Sequence, residues 1–160
     1  MSGKGTPALA ALARAGVAYT LHEYAVHTTP GAAGYGADAA QSLGQDPRRM
    51  FKTLVAEVDG RLTVAVVPVA GSLDLKAFAA AAGGKRAALA DPAAAERSSG
   101  YVRGGISPLG QRRRLSTVID ASAEDWPTVL VSAGQRGLQV ELAPVDLVRL
   151  CSAAVAAIAS

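Results

Sequence analysis

A chain of 160 residues, half of them hydrophobic, can bury one substantial core and is too short for two domains of ordinary size. The lone cysteine, Cys151, excludes a disulfide framework and a cysteine metal site, and His22 and His27 have no ligand partner at standard spacing, so neither a metal nor a cofactor is expected. A net charge of +3 with a pI near 9.3 permits a polyanionic partner, no stretch reaches the roughly 18 unbroken apolar residues of a membrane span, and the first residues lack a signal-peptide run, so a soluble cytoplasmic protein is expected.

Thr6 and Pro7 form an N-cap and first-turn pair, Leu9 and Leu12 share a face, and Gly16 is a natural stop, which predicts a helix over 7–15. Val17 to Tyr24 alternates with the period of a half-buried strand. HTTPGAAGYG then reads as loop, and 37–43 before Gly44 as a short helix. Met50–Val58 and Arg61–Val67 are apolar, β-branched runs joined by Asp59 and Gly60, the signature of a tight hairpin; the second is almost continuously apolar and so central. Asp74 caps a helix through Ala82 that Gly83 and Gly84 end, and Asp91 with Pro92 opens another closing near Arg97. Strands follow at 117–120, 128–132 and 138–142, the last two joined through GQRG, and Pro144 to Ile158 reads as a closing helix. Hairpins and crossovers together imply an α/β domain spanning the whole chain around a mixed, curved sheet of about six strands. Abundant alanine raises helix propensity everywhere and makes alanine a poor guide to the core.

The segment GYVRGGISPLGQRRRL, residues 100–115, sets a glycine turn beside a proline and three arginines. Gly104 and Gly105 let backbone approach a ligand with no Cβ in the way, and Pro108 fixes the turn. The run from Gly104 through Ile106 and Ser107 suits a backbone clamp for charge developing on an ester oxygen. Ser107 lacks the strand, sharp elbow and helix of a serine-hydrolase nucleophile. Arg112, Arg113 and Arg114 either hold phosphates or form a solvated turn. Lys52, at the start of an apolar strand, either points to solvent or sits at the mouth of a pocket, where it would orient an ester or phosphate. Tyr24, Tyr35 and Tyr101 stand out in a chain with few aromatics, and Tyr101 adjoins the glycine turn. Ser132, Ala133 and Gly134 begin a turn that either faces the same pocket or merely connects a hairpin.

In order, MFKTL, VPVAGSLDLK, ADPAAAERSSGYVRGGISPLGQRRRLSTVID and VSAGQRGLQVEL closely resemble the YbaK family of aminoacyl-tRNA deacylases, nearest its Cys-tRNA(Pro)/Cys-tRNA(Cys) deacylase branch. The resemblance implies a barrel-like YbaK sheet and a free-standing editing enzyme that hydrolyses the ester of tRNA for proline mischarged with cysteine, acting in transient partnership with prolyl-tRNA synthetase. Proline and cysteine are close in size, so a synthetic pocket rejects cysteine poorly and a second site is the physical remedy. It implies further that Lys52 matches the lysine that positions the terminal adenosine or its ester, that Gly104 through Pro108 match the glycine-to-proline motif, and that Tyr24, Thr53 and Tyr101 match pocket positions. In the implied mechanism the cysteinyl thiol attacks its own ester carbonyl and a cyclic thiolactone leaves, which agrees with the absence of a recognisable nucleophile, base or metal site. Where relatives often carry an acidic residue in the GLxIEL strand, this chain has Gln139. Two other readings stay open: removal of alanine or another small amino acid from tRNA with water as nucleophile, and a noncatalytic tRNA-binding or synthetase-binding accessory.

Overall fold

The first helix, α1 (Pro7–Ala15), starts where Thr6 accepts the Leu9 N–H on its hydroxyl at 3.2 Å, and it ends where Gly16 turns left-handed at φ 69°. The computed structural model describes residues 5–26 and 34–160; His27 and most of the loop expected over 27–36 lie outside the described residues. Strand β1 (Tyr19–Glu23) and helix α2 (Tyr35–Leu43) precede a hairpin of β2 (Phe51–Val58) and β3 (Arg61–Pro68). Both turn residues of that hairpin have positive φ, Asp59 at 50° and Gly60 at 83°, as a primed two-residue turn requires. Helix α3 (Leu75–Ala81), capped by Asp74, leads to the short β4 (Ala87–Leu89), and α4 (Pro92–Ser99), capped by Asp91, leads to the glycine-rich segment. After it come β5 (Thr117–Asp120), a 3-10 turn at Ala121–Asp125, β6 (Val129–Gln135), β7 (Leu138–Leu142), α5 (Pro144–Cys151) and β8 (Ala154–Ala156).

The strands form two sheets that do not close into a barrel, one ordered β1-β7-β6 and one ordered β4-β2-β3-β5-β8. The larger sheet is mixed: β2 pairs antiparallel with β3 and β4, while β5 pairs parallel with β3 and with β8. Its central strand β3 is covered on both faces, which accounts for its unbroken apolar sequence. Val64 and Val66 pack with Val131, Val140 and Leu142 of the small sheet and with Leu12 of α1. Ala65 and Val67 pack on the other face with Phe78 of α3 and with Ile158. A third cluster sets Ala39 and Ala40 of α2 against Met50 and Leu130.

The α/β class, the hairpin and the capped helices stand as the sequence implies. Among the described residues there are eight strands where about six were expected, and they form two sheets not closed into a barrel. The expected helix from Pro144 to Ile158 stops at Cys151, because Ser152 adopts a left-handed conformation (φ 49°, ψ 43°) and the chain continues as β8. Alanine-rich sequence hides that change. The strand is specified by a carboxylate far away in sequence, since Asp120 Oδ1 accepts the N–H groups of Ile158 at 2.9 Å and Ala159 at 3.0 Å.

Candidate active site

Strand β4 pairs only with Ala56–Val58 of β2, so the first half of β2 is an open sheet edge among the described residues. A cavity of about 320 Å³ lies along that edge, within the range of small-molecule sites. β2 enters it beside β6 through a parallel bridge between Met50 and Leu130. The small sheet presents Ser132 and Gln139 to the cavity, because alternation commits Val131, Leu138 and Val140 to the core on the opposite face. The glycine-rich segment closes the third side with Arg103, Gly104 and Ile106.

Lys52 is half-buried in the wall and has no ion-pair partner among the described residues. Desolvation lowers the pKa of its ammonium below the usual lysine value. Thr53 and Tyr24 line the same cavity. Gly104, at φ 84°, sits where a Cβ would come within 2.9 Å of both the Tyr35 ring and Arg136 Nε. The Arg136 guanidinium lies 4.6 Å from the centroid of the Tyr35 ring, and its Nε donates to the Arg103 carbonyl at 2.7 Å. The Arg103 N–H in turn donates to Glu96 Oε2 at 2.8 Å. These two bonds fix the turn from both sides.

The structure therefore brings together Lys52, Thr53, Tyr24, Tyr35, Gly104, Ile106, Ser132 and Gln139 of the residues singled out in the sequence, and sets the others apart. Gly105 is buried against the backbone of Gln135 and Arg136, and its N–H is already bonded to the Val102 carbonyl at 2.9 Å. Ser107 is fully buried, with its hydroxyl accepting the Leu109 N–H, and Pro108 is buried beside it. Tyr101 is a core residue whose hydroxyl donates to the Leu109 carbonyl at 2.5 Å, and burial pushes its pKa up to about 12. Ala133 is also in the core, its carbonyl accepting from Thr6 Oγ1 at 2.6 Å, while Gly134 packs against Tyr101 and Thr6. Arg112, Arg113 and Arg114 are exposed and do not line the cavity; Arg112 packs on Gly100, and Arg114 Nη2 donates to Ser152 Oγ at 2.7 Å.

The family model for the aminoacyl-tRNA editing domain matches residues 29–150. The chain belongs to this family. It is 41% identical over 114 residues to EbsC of Enterococcus faecalis, named as a candidate Cys-tRNA(Pro)/Cys-tRNA(Cys) deacylase, covering 69% of this chain and 68% of that protein. Among solved structures, the fold is similar to that of a candidate trans-editing enzyme for prolyl-tRNA synthetase, with a TM-score of 0.83 at 23% identity over 100% of this chain and 99% of the other. It is also similar to the hypothetical protein APE2540, with a TM-score of 0.85 at 23% identity over 97% and 100% of the two chains.

In this editing domain no described histidine stands beside a cavity hydroxyl. No described histidine lines the cavity, and His22 Nε2 is instead 2.8 Å from Glu141 Oε1. Cys151 is buried, burial pushes its thiol up to about 12, and its Sγ lies 3.5 Å from the Pro108 carbonyl oxygen. No group of three or more potential metal ligands occurs among the described residues, and no described helix is long and apolar enough to cross a membrane. Sequence reasoning missed Glu96, Arg103 and Arg136. Their signal was weak, since Glu96 is a single charged residue within α4 and Arg103 and Arg136 are single charged residues in turns, and only the fold brings them together.

Proposed function

We propose that this editing domain hydrolyses the ester of Cys-tRNA(Pro), with the substrate's own thiol as the attacking group and prolyl-tRNA synthetase as a transient partner that selects the tRNA. The observation that carries the reading is a cavity with a half-buried, unpaired Lys52 and an exposed turn backbone, and no histidine-activated hydroxyl or thiol among the described residues. Such a site orients and stabilises charge; it does not itself supply a nucleophile. The similarity to EbsC supports cysteine as the amino acid removed.

In the proposed reaction the cysteinyl sulfur bonds to its ester carbonyl carbon and loses its proton to solvent. The carbonyl oxygen becomes an oxyanion, the bond to the ribose oxygen breaks, and that oxygen is protonated as the tRNA leaves. Water then opens the thiolactone. In this reading Lys52 donates to the ester or its oxyanion, which its half-buried position in the cavity wall supports. Gly104 and Ile106 contribute backbone at the cavity wall, and their N–H groups have no partner among the described residues. Gly105, whose N–H is already used, drops out of the clamp. Holding thiol and carbonyl in contact supplies about 7–11 kcal/mol of the barrier reduction in well-oriented intramolecular reactions. The rim cations Arg103 and Arg136 suit the phosphates of the acceptor end.

Single-turnover hydrolysis of Cys-tRNA(Pro), Ser-tRNA(Pro) and Ala-tRNA(Pro) tests the reading. Rapid loss of cysteine alone is expected. Comparable loss of serine or alanine would replace the thiol by water as nucleophile, and no loss of any of the three would make the protein a binding accessory.

A further inference from the structure

Among the described residues two buried side-chain oxygens have no hydrogen-bond partner, Thr53 Oγ1 and Gln139 Oε1, and both residues line the cavity. Gln139 is only 6% exposed. Its neighbour across β6 is Ser132, which also lines the cavity. The Ser132 hydroxyl oxygen accepts the Gly134 N–H at 3.1 Å. Thr53 lies three residues past the Met50–Leu130 bridge on β2 and Ser132 two residues past it on β6, and both line the cavity. The two orphaned oxygens thus belong to one cavity.

A buried amide oxygen without a donor is destabilising, and native proteins retain few of them. Both orphans facing one cavity point to a ligand that brings the donors. That ligand group must carry more than one N–H or O–H, and it meets no carboxylate here except Glu96, one of whose oxygens already accepts from Arg103. We propose that Gln139 Oε1 and Thr53 Oγ1 form an uncharged subsite that accepts hydrogen bonds from the α-amino group of the bound amino acid, making Gln139 a specificity-determining residue. The proposal rests on the aminoacyl-ester reading and adds how the amino acid is recognised. An amide oxygen and a hydroxyl carry no net charge, so the subsite reads hydrogen-bonding geometry.

The test compares two non-hydrolysable adenosine 3′-amides, cysteinyl and 3-mercaptopropionyl, which differ only by the α-amine. Calorimetric titration against the wild type, Gln139→Leu and Thr53→Val is paired with thermal melts. Each variant is expected to bind the cysteinyl amide about tenfold more weakly, the loss of one buried hydrogen bond, and the mercaptopropionyl amide within about twofold of the wild type. The Tm of Gln139→Leu is expected to hold or rise, since leucine fills the site without an unpaired oxygen. Equal weakening of both amides, no weakening of either, no binding of either by the wild type, or a Tm lowered by several degrees in Gln139→Leu would overturn the subsite. Wild-type protein that binds the amides but fails to hydrolyse Cys-tRNA would remove the deacylase reading instead, and the binding comparison would still decide the subsite.

Discussion

Arg49 and Glu141 meet in a part-buried ion pair, Nη2 to Oε2 at 2.5 Å, that ties the residue two before β2 to the penultimate residue of β7. Thr128 Oγ1 donates to the same carboxylate oxygen at 2.6 Å, and Arg49 Nε donates to the Thr128 carbonyl at 2.9 Å. Glu141 stands two residues from Gln139 and so shares its face of β7, which makes this cluster the frame for the polar wall of the cavity.

The frame carries a pH signature. Hydrogen bonds from Thr128 and His22, with the Arg49 charge, outweigh burial and hold the Glu141 carboxyl below its usual value of 4.5. A carboxylate depressed in the folded state contributes stability that is fully present above about pH 4.5 and is lost as pH falls through its folded value. Glu141→Gln is expected to lower stability by about 1–3 kcal/mol at neutral pH and to flatten the acid limb of the Tm profile. Melts between about pH 7 and about pH 3 check this, and curves for wild type and variant that run parallel would place the acid sensitivity elsewhere.

A second carboxylate anchors the C-terminal strand. Burial pushes Asp120 up, but hydrogen bonds from the Ser122 hydroxyl and from the N–H groups of Ile158, Ala159 and Ser122 outweigh it and lower its pKa. Asp120→Ala is expected to cost about 1.5–3 kcal/mol, the worth of hydrogen bonds to a charged group, and to release β8 from β5. Amide exchange at Ile158 and Ala159 reads this directly; unchanged protection there would show that the strand is held by its ladder alone.

Local signals carried much of the fold. The Thr6 and Asp74 caps, the Asp59-Gly60 turn and the apolar run of β3 are each decided by residues within a few positions, and each stands where the sequence implies. β8 was illegible because its helix-favouring alanines are overruled by Asp120, 38 residues away from Ile158. The site divides in the same way. Lys52 and Gly104 announce themselves by their setting, whereas Tyr101, next to the glycine turn in sequence, faces the core. Glycine-rich sequence marks where backbone packs closely, but not whether the close neighbour is a ligand or, as for Gly105, another strand.

Lys52→Ala is expected to lower single-turnover deacylation by about tenfold or more, by removing a charge-assisted donor, with Tm nearly unchanged. Burial of an unpaired ammonium is itself unfavourable, so its removal does not weaken the fold. Its lowered pKa also means that the charged form is lost at a lower pH than for an exposed lysine, and activity is expected to fall there as pH rises. A variant with wild-type turnover would remove Lys52 from the site.

The two glycines separate fold from function. At Gly105 a Cβ would lie 2.9 Å from the backbone of Gln135 and Arg136, so Gly105→Val is expected to disrupt the fold, and its inactivity says nothing about catalysis. At Gly104 the obstacles are the movable side chains of Tyr35 and Arg136, plus a left-handed φ that costs about 1–2 kcal/mol for any other residue. Gly104→Ala is therefore expected to remain folded while losing activity. Full activity in a folded Gly104→Ala protein would show that the close approach there serves packing alone.

Cations at the cavity rim and cations remote from it make different predictions for tRNA binding. Arg103 lines the cavity, and its carbonyl is held by Arg136, whereas Arg112 to Arg114 do not line it and Arg114 is bonded to Ser152. If the acceptor end enters the cavity as a single strand, Arg103→Ala should reduce the slope of log binding constant against log salt by about 0.7, the value for one phosphate contact on a single strand. Arg136→Ala should do the same and in addition free the Arg103 turn, lowering turnover as well as affinity. Replacing Arg112, Arg113 and Arg114 together by alanine is expected to leave turnover of bound substrate unchanged, because none of them lines the cavity where the ester must lie. A salt slope altered by the triple variant but not by Arg103→Ala would move the phosphate track away from the rim and onto the segment that its sequence first suggests.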